Sequence, residues 1–191
     1  MQKATESTVK YVDIISPNVK NFEGFLKSLT SLQNIILNVL YKNSAISVRE
    51  IRNEIIMDTR TSIMGMAFSF NKEGRQSKFV KRGVKLSVEG SKYGIKVDVA
   101  QDETKEIYDE IDKEESKYSG DKIYPYELAE KVSKVLSKNK IPTPSSKTIE
   151  DALMDMLELG FVIRRKSKSR RIKALWFIHP KVYEILKEKE D

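Results

Sequence analysis

The fold of this chain is decided by residues 145–178, which read SSKTIEDALMDMLELGFVIRRKSKSRRIKALWFI. The first half of this stretch has the i, i+3, i+4, i+7, i+8 apolar spacing of a helix with one buried face, at Ile149, Ala152, Leu153, Met156 and Leu157. Ser145 or Ser146 suits the N-cap of this helix, and Gly160 suits its end. Two strand-like segments, 161–163 and 172–178, then flank the basic segment 164–171. The stretch therefore predicts a helix followed by a β-hairpin.

The neighbouring residues predict three more helices. An acidic helix is expected over 104–118, and Pro125 suits the first turn of a helix over about 125–136 with a regular apolar stripe. Residues 141–144 contain two prolines and are expected to form the turn before the next helix. His179 and Pro180 mark the start of a last helix.

The first half of the chain predicts a similar order of elements. A well-buried helix is expected over 25–41, and Ser47 with Glu50 forms a capping box that opens a second one. Asp58 or Thr59 is a possible cap for a third helix that ends near Phe70. Residues 79–88 and 93–99 then have the β-branched and aromatic content of a hairpin.

Residues 147–178 resemble the recognition helix and wing of the winged helix-turn-helix superfamily, and residues 32–56 are similar to its first two helices. The likeness covers about 30–99 and 102–186. It implies a mainly α fold with small β-hairpin wings (α+β), arranged as tandem winged helix-turn-helix modules. The expected division is a polar N-terminal arm, 1–24, a first module, 25–100, and a second module, 101–191. Winged helices also serve as protein–protein modules, so the likeness specifies fold more than function.

Composition excludes several function classes. The 191 residues contain no cysteine and one histidine, which excludes thiolate zinc sites, disulfide scaffolds and multi-histidine metal sites. No phosphate-cradling or dinucleotide-binding glycine motif occurs. We therefore expect no enzyme, no metal and no cofactor. Without a long apolar run or a signal peptide, the sequence also predicts a cytoplasmic protein with no membrane partner. Abundant Lys and Glu with only four Gln are typical of proteins from very hot environments.

The net charge of +7 is distributed in blocks of opposite sign. Residues 71–96 carry a net +6 and residues 102–121 a net −6, whereas residues 161–173 hold seven basic residues and no acid. Basic patches attract polyanions because each neutralised phosphate releases condensed counterions. The alternative is that such charges are solvated faces of a heat-adapted protein. An uncompensated run of seven favours a nucleic-acid partner.

The resemblance to winged helices places DNA contacts on both modules. In the first module, the recognition helix would present Arg60, Thr61 and Ser62, with Arg60 suited to bidentate pairing with guanine. The following basic segment would add Lys72, Arg75, Lys78, Lys81 and Arg82. In the second module, the helix start would offer Ser145, Ser146, Lys147 and Thr148, and the wing Arg164, Arg165, Lys166, Lys168, Arg170 and Arg171. The wings would contact the phosphate backbone, since Lys and Arg supply most such contacts.

The outward face of the second recognition helix departs from the DNA-binding pattern. It carries Glu150, Asp151, Asp155 and Glu158, whose carboxylates are repelled by a phosphate-lined groove. The second module is therefore expected to hold DNA mainly by its wing, with its helix inserted shallowly at most. Alternatively, this acidic face docks a protein partner or a basic patch of the chain itself.

The leading prediction is a DNA-binding transcriptional regulator that acts by occupying double-stranded DNA, with a homodimer on a two-part site as one form. Two alternatives remain open. One is a protein–protein scaffold associated with chromosomes or polymerases, and the other is a replication or partition protein of a plasmid or virus. Trp176 is expected to lie in the core rather than to stack on a base.

Overall fold

A computed structural model describes residues 24, 26–74, 91–97, 99, 103–120, 122–171 and 174–191, the side chains of 68–74 excepted. The described part is mainly helical with one small two-stranded antiparallel sheet, which confirms the predicted α+β class. Its helices are α1 (Ser31–Lys42), α2 (Val48–Gly74), α3 (Thr104–Ser116), α4 (Pro125–Lys138), α5 (Ser146–Leu159) and α6 (Pro180–Glu190). The strands β1 (Val162–Lys166) and β2 (Ala174–Ile178) lie between α5 and α6.

The chain forms two compact units that are not consecutive in sequence. Unit 1 combines the chain up to Arg52 with Ser145–Asp191, and unit 2 is Asn53–Pro144. This grouping differs from the predicted division near residue 100. The difference arises because α1, close to the start of the chain, packs against α5 and β2, close to its end. The predicted N-terminal arm lies outside the described residues apart from Gly24.

The core of unit 1 is built on α1, α5 and the hairpin. Ile36 and Val39 of α1, Leu153 of α5 and Phe161 are fully buried, and Trp176 is 1% exposed. This confirms the prediction that Trp176 is a core residue. Apolar burial of this kind is the main favourable contribution to folding, at about 25 cal/mol per Å² removed from water.

A third extended segment joins the sheet through one residue. Ile46 pairs with Trp176, since the Trp176 N–H donates to the Ile46 carbonyl at 2.8 Å and the Ile46 N–H donates to the Trp176 carbonyl at 3.2 Å. The segment between α1 and α2 thus lies at the edge of β2. The sequence analysis missed this pairing because one bridging residue has no periodic pattern.

Side-chain caps set most helix starts. The Ser47 hydroxyl accepts from the Glu50 N–H at 3.2 Å, and the Ser145 hydroxyl accepts from the Thr148 N–H at 3.2 Å, which confirms both predicted caps. His179 Nδ1 accepts from the Lys181 N–H at 3.1 Å and so begins α6, as predicted. Thr30 forms a capping box with Gln33, which sequence analysis did not identify.

The predicted break between a second and a third helix is wrong, because α2 runs without interruption from Val48 to Gly74. Thr59 Oγ1 donates to the Ile55 carbonyl at 2.7 Å, and Thr61 Oγ1 donates to the Met57 carbonyl at 2.9 Å. Each hydroxyl is thus used within the helix, four residues back, and not as a cap. With no turn at residues 58–59, residues 48–74 form one helix where the sequence predicts two.

Asp58 instead holds a distant loop against α2. Its buried carboxylate accepts from the Ser91 hydroxyl at 2.6 Å and from the N–H groups of Lys92 and Tyr93 at 2.9 and 3.1 Å. One turn earlier, Glu54 accepts from the Tyr93 hydroxyl at 2.6 Å. Two carboxylates four residues apart on α2 therefore fix the segment that begins at Ser91.

The hairpin predicted over residues 79–88 and 93–99 is described only in part. Residues 75–90, which include its first strand, lie outside the described residues. From Tyr93 onward, buried Tyr93, Ile95 and Val97 alternate with exposed Gly94 and Lys96. Burial thus alternates with a period of two, but residues 92–93 form a turn, Gly94 has a φ of 78° and residues 91–97 contain no regular strand, so the predicted second strand is not confirmed.

In unit 2, α3 and α4 pack side by side. Ile107 and Ile111 of α3 and Val132 and Leu136 of α4 are buried. After α4, the Ile141 N–H donates to the Leu136 carbonyl at 2.9 Å. The chain then runs without regular structure to Ser145, which confirms the predicted turn.

A substitution at Gly65 tests whether α2 is one continuous helix. It is an exposed residue inside α2, and a Cβ built on it meets nothing within 4 Å. We expect Gly65→Ala to raise the free energy of unfolding by about 0.5–1 kcal/mol, because alanine loses less backbone entropy in a helix. Urea unfolding of the full chain measures the change.

The control for this experiment is Gly160→Ala. Gly160 ends α5 with φ of 82°, a left-handed conformation that costs a side-chain-bearing residue about 1–2 kcal/mol. The two substitutions should therefore have opposite signs. A loss of stability for Gly65→Ala would contradict a continuous α2.

Candidate functional site

The start of α5 is one part of the candidate site. Ser145, Ser146, Lys147 and Thr148 are all exposed, and the first turn of α5 contains no acidic residue. The Ser145 and Thr148 hydroxyls are 2.9 Å apart and share one hydrogen bond. A helix N-terminus has a partial positive charge, so this end offers hydroxyls, a lysine and free N–H groups to an anion.

The hairpin after α5 carries the main positive charge. β1 pairs antiparallel with β2 in a register that places Arg164 opposite Trp176 and Arg165 opposite Leu175. Beyond these pairs, residues 168–171 of the connecting segment are exposed and Ser167 is half-buried. The exposed basic side chains are Arg165, Lys166, Lys168, Arg170 and Arg171. None of these five has a carboxylate within ion-pair distance in the part of the chain that the structure describes.

Arg164 differs from the other basic residues because it is partly buried. Its guanidinium lies over the Trp176 ring at 5.6 Å, and its Nη1 is 4.0 Å from Met154 Sδ of α5. Its Nε is buried and has no hydrogen-bond partner among the described residues. Arg164 therefore joins the base of the hairpin to α5, and the exposed charge belongs to the residues beyond it.

The outward face of α5 is acidic, as the sequence predicts. Glu150, Asp151, Asp155 and Glu158 are exposed, and Met154, 36% exposed, lies among them. Along α5 the charge thus changes from a positive N-terminal turn to a negative outer face. Only the first turn is suited to a phosphate.

Arg60, which the sequence predicts to contact DNA, is instead paired with a carboxylate of the chain itself. Its Nη2 donates to Glu115 Oε2 at 2.7 Å, its Nε donates to Oε1 of the same carboxylate, and both side chains are about one fifth exposed. The hydrogen bonds to Glu115 are the largest cause of the raised pKa of Arg60. The guanidinium that would pair bidentately with guanine is already paired with a carboxylate.

Of the other predicted contacts of the first half, the structure describes only Thr61, Ser62 and the backbone of Lys72. Ser62 is 2% exposed and therefore cannot reach a duplex, whereas Thr61 is exposed. Lys72 lies in the last turns of α2, and nothing is described of its side chain. The remaining predicted contacts, Arg75, Lys78, Lys81 and Arg82, lie outside the described residues.

The described ranges also bear on two other types of site, a metal centre and a membrane-spanning helix. They contain no group of three or more His, Asp or Glu side chains arranged to hold a metal ion. Nor do they contain a helix long and apolar enough to span a bilayer. The single histidine, His179, caps α6. The candidate site is therefore the start of α5 together with the basic hairpin.

Comparison with protein-family models, with curated proteins and with solved structures finds no match to this chain.

Proposed function

We propose that this protein binds double-stranded DNA through the basic hairpin and the start of α5, and that it acts as a transcriptional regulator. One observation carries the proposal: the hairpin presents five exposed basic side chains that have no ion pair among the described residues. Such charges repel one another, and the phosphates of a duplex relieve the repulsion while releasing counterions.

The order of elements in unit 1 supports a winged-helix module. Along the chain, unit 1 contains α1, the bridging residue Ile46, the start of α2, α5, β1, β2 and α6. This order, with Ile46 paired to the second hairpin strand, resembles one winged helix assembled from both ends of the chain. We therefore propose one such module in unit 1 in place of the two tandem modules expected from sequence.

The proposed mode of binding follows from the charges on α5. Its first turn, with Ser146, Lys147 and Thr148, approaches phosphates, because hydroxyls, lysine and helix N–H groups all donate to phosphate oxygens. The acidic outer face keeps the rest of α5 out of the groove. The hairpin then supplies most of the affinity along the backbone or in the minor groove, with modest sequence preference.

The salt dependence of binding tests the proposal. If five phosphates are neutralised, affinity for a 20-base-pair random duplex should fall about 500-fold between 50 and 200 mM salt, because log K falls by about 0.9 per contact for each tenfold rise in salt. Fluorescence anisotropy with labelled duplex measures it. A flat salt response, or no binding at 50 mM salt, would overturn the proposal.

A second candidate function rests on the acidic face of α5. Four exposed carboxylates around the exposed Met154 form a surface that fits a basic protein partner. In that case the protein is a scaffold. Recovery of one basic protein at a fixed stoichiometry, lost when Asp151 and Asp155 are changed to Asn, would favour the scaffold over the regulator.

A further inference from the structure

A cleft of about 480 Å³ lies between α3 and α4, within unit 2. Its walls carry five lysines against two glutamates, which gives a net charge of +3. These lysines are Lys113, Lys117, Lys131, Lys134 and Lys138. The cleft belongs to neither the basic hairpin nor the start of α5.

Helical spacing explains how the lysines converge. On α4, Lys131, Lys134 and Lys138 follow at i, i+3 and i+7 and therefore share one face. On α3, Lys113 follows Glu110 by three residues, and the neighbouring Lys117 follows Glu114 by three. The segment 102–121 is acidic as a whole, but exposed Asp109 and Asp112 do not line this cleft. The side of the cleft formed by α3 and Lys117 is neutral, so the net positive charge comes from the three lysines of α4, which a count of charge along the chain does not reveal.

Both glutamates of the cleft already have partners. Lys117 Nζ donates to Glu114 at 2.8 Å, and Lys138 Nζ lies 3.7 Å from Glu110. The pKa of Glu114 is lowered, first by the hydrogen bond from Lys117 and then by the charges of Lys117, Lys131 and Lys134. Several ammonium groups thus act on one carboxylate, and positive charge remains in excess.

Lys113, Lys131 and Lys134 hold the unneutralised charge. None of the three has an ion pair within the described ranges, although Lys131 Nζ lies 5.9 Å from the centre of the Tyr118 ring. Lysine is a compact cation with three donors and a common phosphate ligand. Like charges held around a concave surface repel one another, and an anion with several charges removes that repulsion.

We propose that the cleft between α3 and α4 binds a ligand with two or more adjacent phosphates. The source is either a free oligophosphate or consecutive phosphates of a DNA backbone. The first source is independent of the proposed function, whereas the second rests on it. A single phosphate would neutralise only part of the charge.

The test compares two charge-matched variants of the full chain. The cleft variant changes Lys113, Lys131 and Lys134 to Gln. The control variant changes three exposed lysines of the same unit that do not line the cleft to Gln, namely Lys105, Lys122 and Lys140. All six side chains are intermediate or exposed, so both variants should fold, and circular dichroism checks this.

Two probes distinguish the sources. Sodium tripolyphosphate is titrated by calorimetry at 20 mM salt, and a 20-base-pair duplex by anisotropy at two salt concentrations. A free oligophosphate ligand predicts at least a tenfold loss of tripolyphosphate affinity in the cleft variant alone, with duplex binding unchanged. A DNA backbone predicts that the cleft variant alone loses duplex affinity at least tenfold, with its salt slope reduced by about two to three.

The proposal is overturned if the cleft variant binds both probes with wild-type affinity, or if the wild type binds neither probe. It is also overturned if the control variant loses as much affinity as the cleft variant. Its failure is distinct from failure of the proposed function. Wild-type protein that binds tripolyphosphate through the cleft but binds no duplex would overturn the DNA-binding proposal and support the cleft.

Discussion

Changing Arg165, Arg170 and Arg171 together to Ala is expected to weaken binding to random duplex DNA by a few hundred-fold at 0.1 M salt. All three side chains are exposed on the hairpin. Each phosphate contact that disappears removes about 0.9 decades of affinity at that salt concentration. The salt slope should fall by about 2.7 at the same time. Anisotropy titrations between 50 and 200 mM salt measure both quantities.

Arg164 is left unchanged in this variant because it is partly buried and its guanidinium lies over the buried Trp176 ring, whereas Arg165 is exposed and lies over the half-buried Phe177 ring at 5.5 Å. Loss of the Arg164 side chain would disturb the base of the hairpin and confuse a charge effect with a folding effect.

Two controls make the result specific. Changing Lys27, Lys187 and Lys189 to Ala removes the same charge from exposed positions of unit 1, and binding should stay within about threefold of wild type if the hairpin is the contact surface. Changing the three arginines to Lys keeps the charge, so binding should fall only a few-fold if phosphates are contacted. An equal loss of duplex affinity in the hairpin variant and in the control variant of Lys27, Lys187 and Lys189 would reject the hairpin as the DNA-binding surface.

Asp58→Ala is expected to lower the free energy of unfolding by about 3 kcal/mol. The buried Asp58 carboxylate accepts three hydrogen bonds, one of them from the N–H group of Tyr93, which is 1% exposed. A buried donor left without a partner costs about 1–3 kcal/mol. In a chain of this size the loss should lower the melting temperature by about 6–12 °C.

Hydrogen exchange supplies the local measurement for this variant. The amides of Lys92 and Tyr93 should lose their protection in Asp58→Ala, since the carboxylate is their acceptor. Asp109→Ala is the control, because Asp109 is an exposed carboxylate in the same unit, and it should change stability by less than about 0.5 kcal/mol. Unchanged protection of both amides would show that Asp58 does not hold this loop.

Arg60 and Asp58 show why the partners of side chains in the first half of the chain could not be found from sequence. Both residues have the chemistry that the sequence analysis assigned to them, a bidentate donor and a capping acceptor. Their partners, Glu115 and the segment at Ser91, are 55 and 33 residues away in the chain. Local spacing carries no information about such partners, so a side chain that satisfies a distant group looks like one that is free for a ligand.

The start of α5 and the hairpin were predictable for the opposite reason. The Ser145 cap, the five buried apolar residues of α5 and the left-handed Gly160 depend on neighbours within a few residues. The exposure of the basic segment also follows locally, because a run of like charges cannot be buried without partners. The candidate site was therefore identified where it is formed by one continuous stretch.

The sequence by itself determined the helical class, the caps at Ser47, Ser145 and His179, the hairpin of β1 and β2 and the uncompensated charge of residues 164–171, because these depend on periodicity and short-range hydrogen bonding. Only the tertiary structure decided that α2 is continuous, that Ile46 pairs with Trp176, and that four lysines of α3 and α4 line one cleft with Lys117. Each of these depends on contacts between different elements, whose free energy outweighs the weak local preference of a few side chains.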